Sequence, residues 1–185
     1  MVNARFSGAV ILNDAMFKLK GTRLGVKELN GALKLENNDA SAKNITGKLG
    51  NTDFAMDGEI ENLVPFLLLE KEPVTIKADL KSNKVDLEEL LTVKENTGES
   101  NYVFDISPHV NADLNVDVGQ LGFRRFLAEN IKGEIKVAGK KIAARSLNFT
   151  SSEGDFDIDA VFDCQDEDVV GVHCYSQVKG LDIQK

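Results

Sequence analysis

The chain has 185 residues, of which 42% are apolar and 28% are charged, and its formal net charge is −8. This length fits one large domain or two small ones, and the apolar fraction is sufficient for a core. An acidic chain without clustered Lys and Arg is a poor partner for nucleic acid and for anionic lipid headgroups. The longest apolar run, residues 63–69, contains Pro65 and is too short to span a bilayer.

The two cysteines, Cys164 and Cys174, are too few for a disulfide framework. Each lies in phase with apolar neighbours along an alternating stretch, which is typical of a buried thiol that acts as a small hydrophobic side chain. We therefore predict two buried free thiols and no cysteine with a catalytic or metal-binding role.

The first fifty residues are predicted to form short strands joined by tight turns. Strands are expected at residues 9–12, 16–19 and 24–26, with turns at residues 13–14 and 21–22. A clearer hairpin follows, in which residues 29–36 pair with residues 40–48 across the turn at 37–39. Asn and Asp tolerate the positive φ of a tight turn, which explains its position.

Residues 51–60 form the clearest alternating stretch of the first half. Phe54, Met56 and Ile60 point to one face, and the acidic residues between them point to the other. A period of two is that of a strand with one face on a core and the other in water. Strict alternation returns at residues 74–81, so a second strand of the same kind is predicted there.

The alternation breaks between and after these two strands. Residues 62–69 are apolar on nearly every side, so we predict a brief helical or irregular plug over the end of the core, with Asn62 as its cap. Residues 85–91 are typical of one or two helical turns capped by Asp86. Residues 94–102 are polar, so a loop is predicted there.

The second half begins with the most regular strand of the chain, residues 110–118, which Gly119 is expected to end. Residues 121–129 have apolar side chains at helical spacing, so a short amphipathic helix is predicted. Two hairpins follow, which pair residues 131–137 with 140–149 and residues 155–164 with 169–178. Because the connections are too short for crossover helices, parallel βαβ units are not expected.

Two phrases return at one constant spacing. Asp53-Phe54 is repeated as Asp155-Phe156, and the phrase at residues 31–35 is repeated at residues 133–137, in both cases 102 residues later. A constant offset indicates a duplicated unit. The predicted organisation is one continuous structural domain, with a first β repeat unit at 1–93, a polar loop at 94–107 and a second, truncated unit at 108–185.

The order of several short phrases carries a family resemblance. The phrases are Gly-x-Leu-x-Leu at 31–35, Gly-x-x-Gly-Asn-x-Asp-Phe at 47–54, Asn-Leu-x-Pro-Phe-Leu at 62–67 and Ala-Asp-Leu-x-Ser-x-x-Val-Asp-Leu at 78–87. In this order they resemble the C-terminal repeats of the AsmA-like family. A looser match extends over residues 110–183, so the resemblance covers most of the chain.

The resemblance implies the periplasmic, β-rich part of an envelope protein of Gram-negative bacteria, anchored in the inner membrane by one N-terminal helix. It also implies an apolar groove and a role in outer-membrane biogenesis and phospholipid transport. Phospholipid acyl chains and envelope proteins are then the partners, while no catalytic residue, cofactor or metal follows from the family. Because the chain stops before a counterpart of Leu90-Leu91, we expect it to be a fragment.

The predicted fold is mainly β: an antiparallel, internally repeated curved sheet that forms a groove or open half-barrel, with two or three short helices. Its inward-facing apolar residues either close into a dry core or stay open to receive acyl chains. Burial of one methylene is worth about 0.8 kcal/mol, so a groove needs no specific residue to hold a lipid tail. The candidate groove residues are Phe54, Met56, Ile60, Ile76, Leu80, Leu114, Val116, Phe156, Ile158 and Phe162.

Two functions remain open from the residues. One is a non-enzymatic lipid-binding module, and the other is a closed structural or adhesive β domain that binds a protein partner. A hydrolase is not favoured, because His109 and His173 have no nucleophile or carboxylate at motif spacing. Asp155, Asp157 and Asp159 form a straight row and not a calcium-binding loop, so a solvated outer face is predicted there.

Overall fold

The computed structural model describes residues 6–18, 25–69, 71–90, 92–96, 99–103, 107–152, 154–166 and 169–180. The alternating stretches form strands β1 (Phe6–Phe17), β2 (Val26–Asn37), β3 (Asp39–Leu49), β4 (Thr52–Glu61), β5 (Val74–Asp86), β6 (Thr92–Asn96), β7 (Glu99–Val103), β8 (Val110–Phe123), β9 (Phe126–Ala138), β10 (Lys141–Ser151), β11 (Gly154–Asp163) and β12 (Gly171–Lys179). The helices are α1 (Leu63–Leu68) and α2 (Leu87–Leu90). The mainly β fold class with two short helices is confirmed.

Ten strands lie side by side in one sheet, in the order β1-β2-β3-β4-β5-β8-β9-β10-β11-β12, and β6 pairs with β7 in a separate two-stranded sheet. Neighbours in the large sheet are antiparallel except β5 and β8, which are parallel with Val74 opposite Val110. The chain between them, which includes α2 and the β6–β7 hairpin, therefore returns to the end of the sheet where β5 began. The sequence predicts antiparallel neighbours throughout, and this prediction is wrong for β5 and β8.

The N-terminal region contains one long strand where the sequence predicts several short ones. β1 runs through residues 13–14, and Asp14 takes a φ of 48° inside a register shift instead of forming a turn. Such a bulge inserts a residue without ending the strand. Residues 19–24, which include the predicted turn at 21–22, lie outside the described residues.

The helix predicted at residues 121–129 is wrong. β8 continues past Gly119 to Phe123, the chain turns at Arg124 with a φ of 54°, and β9 begins at Phe126. Residue Asn130 has a φ of 55° where the register between β9 and β10 shifts. This irregularity disturbs the strict period of two and produces apolar spacing that resembles a helix.

The loop predicted at residues 94–102 belongs to the β6–β7 hairpin, in which Thr92 lies opposite Val103 and Asn96 lies opposite Glu99. A polar segment forms a two-stranded ribbon when a tight turn brings its halves together, so polarity alone did not identify the loop. The division of the chain into units at residues 93 and 108 stays a prediction.

Both predicted helical segments are confirmed, and their caps differ. Asn62 precedes α1 with a left-handed φ of 62°, and its side-chain amide donates to the carbonyl of Pro73 at 2.6 Å instead of capping the helix. At α2, Asp86 Oδ1 accepts the backbone N–H of Glu89 at 3.1 Å, which is the expected capping bond. α1 contacts β3 and β5 and lies at one end of the sheet.

The two halves of the large sheet repeat the same backbone geometry at the offset of 102 residues. The φ angle is positive at equivalent residues, which are Glu28/Asn130, Gly31/Gly133, Asn37/Gly139, Asn44/Ser146 and Gly50/Ser152. The bounds of β3 and β4 also match those of β10 and β11 at this offset. The duplicated unit is therefore present in the fold, with Phe54 and Phe156 on equivalent strands.

An aspartate satisfies the backbone at the same bulge in each unit. Asp57 Oδ1 accepts the N–H of Asn44 at 2.6 Å, and Asp159 Oδ1 accepts the N–H of Ser146 at 2.9 Å. The extra residue of a bulge has no partner in the ladder, and an unpaired backbone N–H costs free energy. The two carboxylates therefore stabilise the bends of the sheet.

Replacing Asp159 with alanine is expected to lower the free energy of unfolding by about 1.5 kcal/mol, because the N–H of Ser146 loses a charge-assisted hydrogen bond. Urea denaturation followed by circular dichroism measures the change. The matched control is Asp155→Ala, which alters an exposed residue of the same strand and face and should change the value by less than about 0.5 kcal/mol. Equal losses in the two variants would contradict the role of Asp159.

The apolar face of the large sheet remains open to solvent. The chain exposes 12801 Å², whereas a compact protein of 20.2 kDa exposes about 8,800 Å². Among the residues that the structure describes, no large side chain is less than 2% exposed. Within the described residues, the large sheet ends at two free edges, β1 and β12. The core is therefore one curved apolar surface with partial access to water.

Candidate functional site

The ten candidate groove residues lie on one face of the large sheet, and every one of them is half-buried. They occupy alternate positions on their strands, so they share a face. Ile60 lies opposite Ile76 within the first unit, and Leu80 lies opposite Val116 where the two units meet. We call this face the inner face. The opposite face, which carries the charged residues, is the outer face.

Inner-face residues form rows that run across the strands. Cross-strand pairing defines a middle row of Val10, Leu33, Ala42, Gly58, Ala78, Leu114, Ile135, Ala144, Ala160 and Cys174. Larger residues stand on one side at Leu35, Ile60, Ile76, Val137, Ile142 and Phe162. On the other side are Ile45, Met56, Leu80, Val116, Leu147 and Ile158. Each unit therefore has three successive small residues between two walls of larger ones.

Two glycines of the inner face lie in crowded positions. A Cβ atom added at Gly58 would lie 2.6 Å from the Cβ of Ala78, and one added at Gly47 would lie 2.8 Å from the Cζ of Phe54. Opposite Cβ atoms of a strand pair are usually about 4.5–5.5 Å apart, so neither position has room for a larger side chain. Bulges at equivalent positions bend both units in the same way.

Two packed clusters support the inner face, one in each unit. The buried members are Leu29, Ala42 and Ile45 in the first, and Val118, Ala128, Ile131 and Phe149 in the second. Phe149 stacks on Phe156 with ring centroids 5.0 Å apart. Sequence reasoning did not select Phe149 or Ile131, although both lie in stretches that it assigned to strands. The groove candidates surround these clusters and form the accessible part of the same surface.

The outer face consists of ion pairs and exposed carboxylates. Lys77 lies 2.6 Å from Glu61, and Lys136 lies 2.9 Å from Asp113. Exposed pairs of this kind each contribute about 1 kcal/mol or less. Two depressions on this face have volumes of about 550 and 740 Å³, and Arg145 lines both of them with residues of mixed polarity and charge. Such linings do not fit an acyl chain, and we assign no function to them.

The aspartate row on β11 is a hydrogen-bonded outer surface. Asp157 Oδ1 accepts a bond from the side-chain amide of Asn148 at 2.8 Å, and Asp159 holds the bulge at Ser146. Within the described ranges, no group of three or more His, Cys, Asp and Glu side chains is placed to hold a metal ion. The row therefore stabilises the pairing of β10 with β11.

The two histidines are not brought together. His109 immediately precedes β8 and His173 lies on β12, which is four strand spacings or about 19 Å away across the sheet. Cys164 is buried as predicted, and its burial, aided by the nearby Asp163 charge, raises the pKa of its thiol above the ordinary value, so it stays protonated at neutral pH. The prediction of a buried Cys174 is wrong, because this residue lies exposed on an edge strand.

The inner face offers apolar contact along a considerable length. Its buried polar residues, Thr52 and Ser82, are bonded within the protein: Thr52 accepts the N–H of Asp86 at 3.0 Å, and Ser82 contacts Asp53 at 3.4 Å. The middle row crosses ten strands, which corresponds to about 43 Å at the usual strand spacing. This exceeds the roughly 30 Å hydrocarbon core of a bilayer. The face can therefore accommodate an extended apolar chain.

Comparisons with known proteins leave the family open. No protein-family model matches the chain, and no curated protein and no solved structure matches it significantly. In the described part of the chain, no helix is long and apolar enough to cross a membrane. The resemblance to AsmA-like repeats therefore supports a proposed function and does not assign the chain to that family.

Proposed function

We propose that this chain is a non-enzymatic, periplasmic module of the AsmA-like type that holds phospholipid acyl chains on its inner face, in phospholipid transport and outer-membrane biogenesis. The observation that supports it is that all ten candidate groove residues, in both units, are half-buried on one face of the sheet. A closed core would pack such side chains at the density of an organic crystal and leave them little contact with water. An acyl chain on the inner face would supply the missing contacts.

The energetics of such a site are sufficient for binding. Burial of one methylene contributes about 0.8 kcal/mol, so ten methylenes contribute about 8 kcal/mol before the cost of immobilising the chain. A micromolar dissociation constant needs a net value of about 8 kcal/mol, so it requires the burial of more than ten methylenes. Affinity should therefore depend on acyl length and little on the headgroup, because the ten groove candidates are all apolar.

A second candidate function is a β domain that binds a protein partner through its sheet edges. The observation that favours it is the exposure of large apolar side chains on the edge strands, among them Ile11 and Tyr175. Unpaired edge strands are templates for pairing with another chain. The edges and the inner face are different surfaces, so one protein can use both.

Lipid extraction tests the proposed function. The protein is purified without detergent, extracted with organic solvent, and the extract is analysed by mass spectrometry, while refolded protein is titrated with a fluorescent long-chain fatty acid. We expect copurifying phospholipid, saturable probe binding, and displacement by phospholipids of different headgroup at similar concentrations. Absence of both lipid and saturable probe binding would contradict an acyl-binding function and favour the protein-partner alternative.

A further inference from the structure

The free edge strand β12 is the second unit's copy of β5. Gly58 on β4 lies opposite Ala78 on β5, and its equivalent Ala160 on β11 lies opposite Cys174 on β12. The same relation connects Leu80 with Ser176, so a constant offset of 96 residues relates the two strands. β5 is covered on its far side by β8, whereas β12 is the last strand of the sheet in the part of the chain that the structure describes.

The other free edge, β1, is the first unit's copy of β8. Leu33 on β2 lies opposite Val10, and its equivalent Ile135 on β9 lies opposite Leu114 on β8. One residue further along, Ile11 on β1 corresponds to Asn115 on β8. The two edges of the sheet are thus copies of the two strands that meet at its centre.

The central contact between β5 and β8 is a parallel strand pair with a defined register. Ala78 lies opposite Leu114, and Asp79 lies opposite Asn115. On the outer face, the side-chain amide of Asn115 donates to Asp79 Oδ1 at 2.8 Å. Ala78 is only 8% exposed in this setting. The β5–β8 junction therefore shows, within one chain, how a strand equivalent to β12 pairs with a strand equivalent to β1.

We propose that β12 of one molecule pairs in parallel with β1 of a second copy, in the register of the β5–β8 junction. Transferring that register places Cys174 opposite Val10 on the inner face and Tyr175 opposite Ile11 on the outer face. The interface repeats a strand pair that the fold already contains, and this identifies a second copy of the chain as the partner.

The side chains on the outer face of the two edges support this partner. Ile11 and Tyr175 replace the hydrogen-bonded Asn115 and Asp79 of the central junction, and they are 71% and 64% exposed. Both members of the polar pair are thus replaced by apolar residues, which cover each other once the edges meet. The next equivalent pair, Asn13 with Gln177, combines two amides that are able to hydrogen-bond across the junction.

The proposed contact is head-to-tail, because it uses two different surfaces of each molecule. A contact of this type that does not close into a ring produces open chains of increasing length. The inner faces of successive copies then join into one continuous apolar surface. We expect a ladder of dimers, trimers and longer species whose average mass rises with protein concentration.

Disulfide trapping tests the register. Val10→Cys is oxidised mildly in the presence of the native Cys174, and the expected result is a ladder of disulfide-linked oligomers on a non-reducing gel. Ile11→Cys, with its side chain on the other face, is the matched control and should not cross-link to Cys174. Cross-links that persist in Val10→Cys/Cys174→Ser, or Cys174 dimers in the wild type, would indicate a different pairing and overturn the proposal.

Sedimentation equilibrium supplies a second test that does not depend on cysteine chemistry. Tyr175→Asp should weaken association about tenfold or more, since the carboxylate would face Ile11 of the neighbour. Adding Ile11→Asn recreates the Asp79–Asn115 pair of the central junction and should restore association. Both residues are exposed, so monomer folding should be unaffected. A single monomeric mass at all concentrations, or no rescue by the double variant, would overturn the proposal.

Discussion

A carboxylate on the inner face at Met56 or Ile158 is expected to weaken the binding of a fluorescent long-chain fatty acid about tenfold, and both together about a hundredfold. The two residues are equivalent in the two units, and both are half-buried. An acyl chain that passes a glutamate loses methylene contacts worth about 0.8 kcal/mol each and must desolvate a charge. Since about 1.4 kcal/mol corresponds to tenfold in affinity, two lost methylenes are sufficient. Fluorescence titration of Met56→Glu, Ile158→Glu and the double variant measures the effect.

The matched control is Ala55→Glu, which places the same charge one residue earlier on the outer face. Ala55 lies opposite Lys81, and the equivalent position in the second unit is Asp157, so an acid is native there. Probe affinity should change by less than about twofold, and melting curves establish that each variant is folded. If Met56→Glu and Ala55→Glu bind the probe equally well, the inner face is not the acyl-binding surface.

Asp53→Asn is expected to lower the free energy of unfolding by about 2 kcal/mol at neutral pH. The Asp53 carboxylate accepts the backbone N–H groups of Asn83 and Lys84 at 3.0 and 2.9 Å, and the side-chain amide of Asn83 at 2.8 Å. These bonds continue the contact between β4 and β5 beyond the pair Ala55–Lys81. Hydrogen bonds to charged groups are worth about 1.5–3 kcal/mol each, and asparagine retains only part of them.

The stabilisation by Asp53 should also depend on pH. Partial burial acts to raise the pKa of Asp53, but the hydrogen bonds from Asn83 and Lys84 outweigh it and hold the pKa below its ordinary value of 3.8. The folded state therefore binds fewer protons than the unfolded state near this pH. The stabilisation is complete above the ordinary value and is lost as the pH falls through the lower, folded-state pKa.

Urea denaturation of the wild type and Asp53→Asn at about pH 7, 5 and 3 measures this dependence. The difference between the two proteins should be largest at the first two values and smaller at the third. Asp155→Asn changes the equivalent, exposed aspartate of the second unit and should have little effect on stability. A difference between wild type and Asp53→Asn that grows on acidification would contradict the assigned role of Asp53.

The alternation of apolar and polar residues predicted much of the fold. At residues 51–60 it identified the faces on which Phe54 and Asp53 lie, because side chains alternate between the two sides of a strand. The repeated phrases located equivalent strands, since equal sequences place glycines and turn residues at the same backbone positions. The sequence alone therefore predicts that the groove candidates lie on one face.

Several positions were predicted wrongly from the sequence, and each error has a physical reason. The bulge at Asp14 resembles a turn, since positive φ favours the same residues in both. The apolar spacing around Leu121 resembles a helix, although that part of the chain lies in β8. The exposure of Cys174 could not be inferred either, because an edge strand and a central strand have the same alternation.

The amino-acid sequence alone determined that the chain forms a duplicated, one-sided set of strands, because apolar spacing and turn residues act locally. Only the tertiary structure decided that β5 joins β8 in parallel and that the sheet stays open. These features depend on pairing between residues far apart in the chain and on the added bend of each bulge. The periodicity of a single segment encodes neither the long-range pairing nor the bend at each bulge.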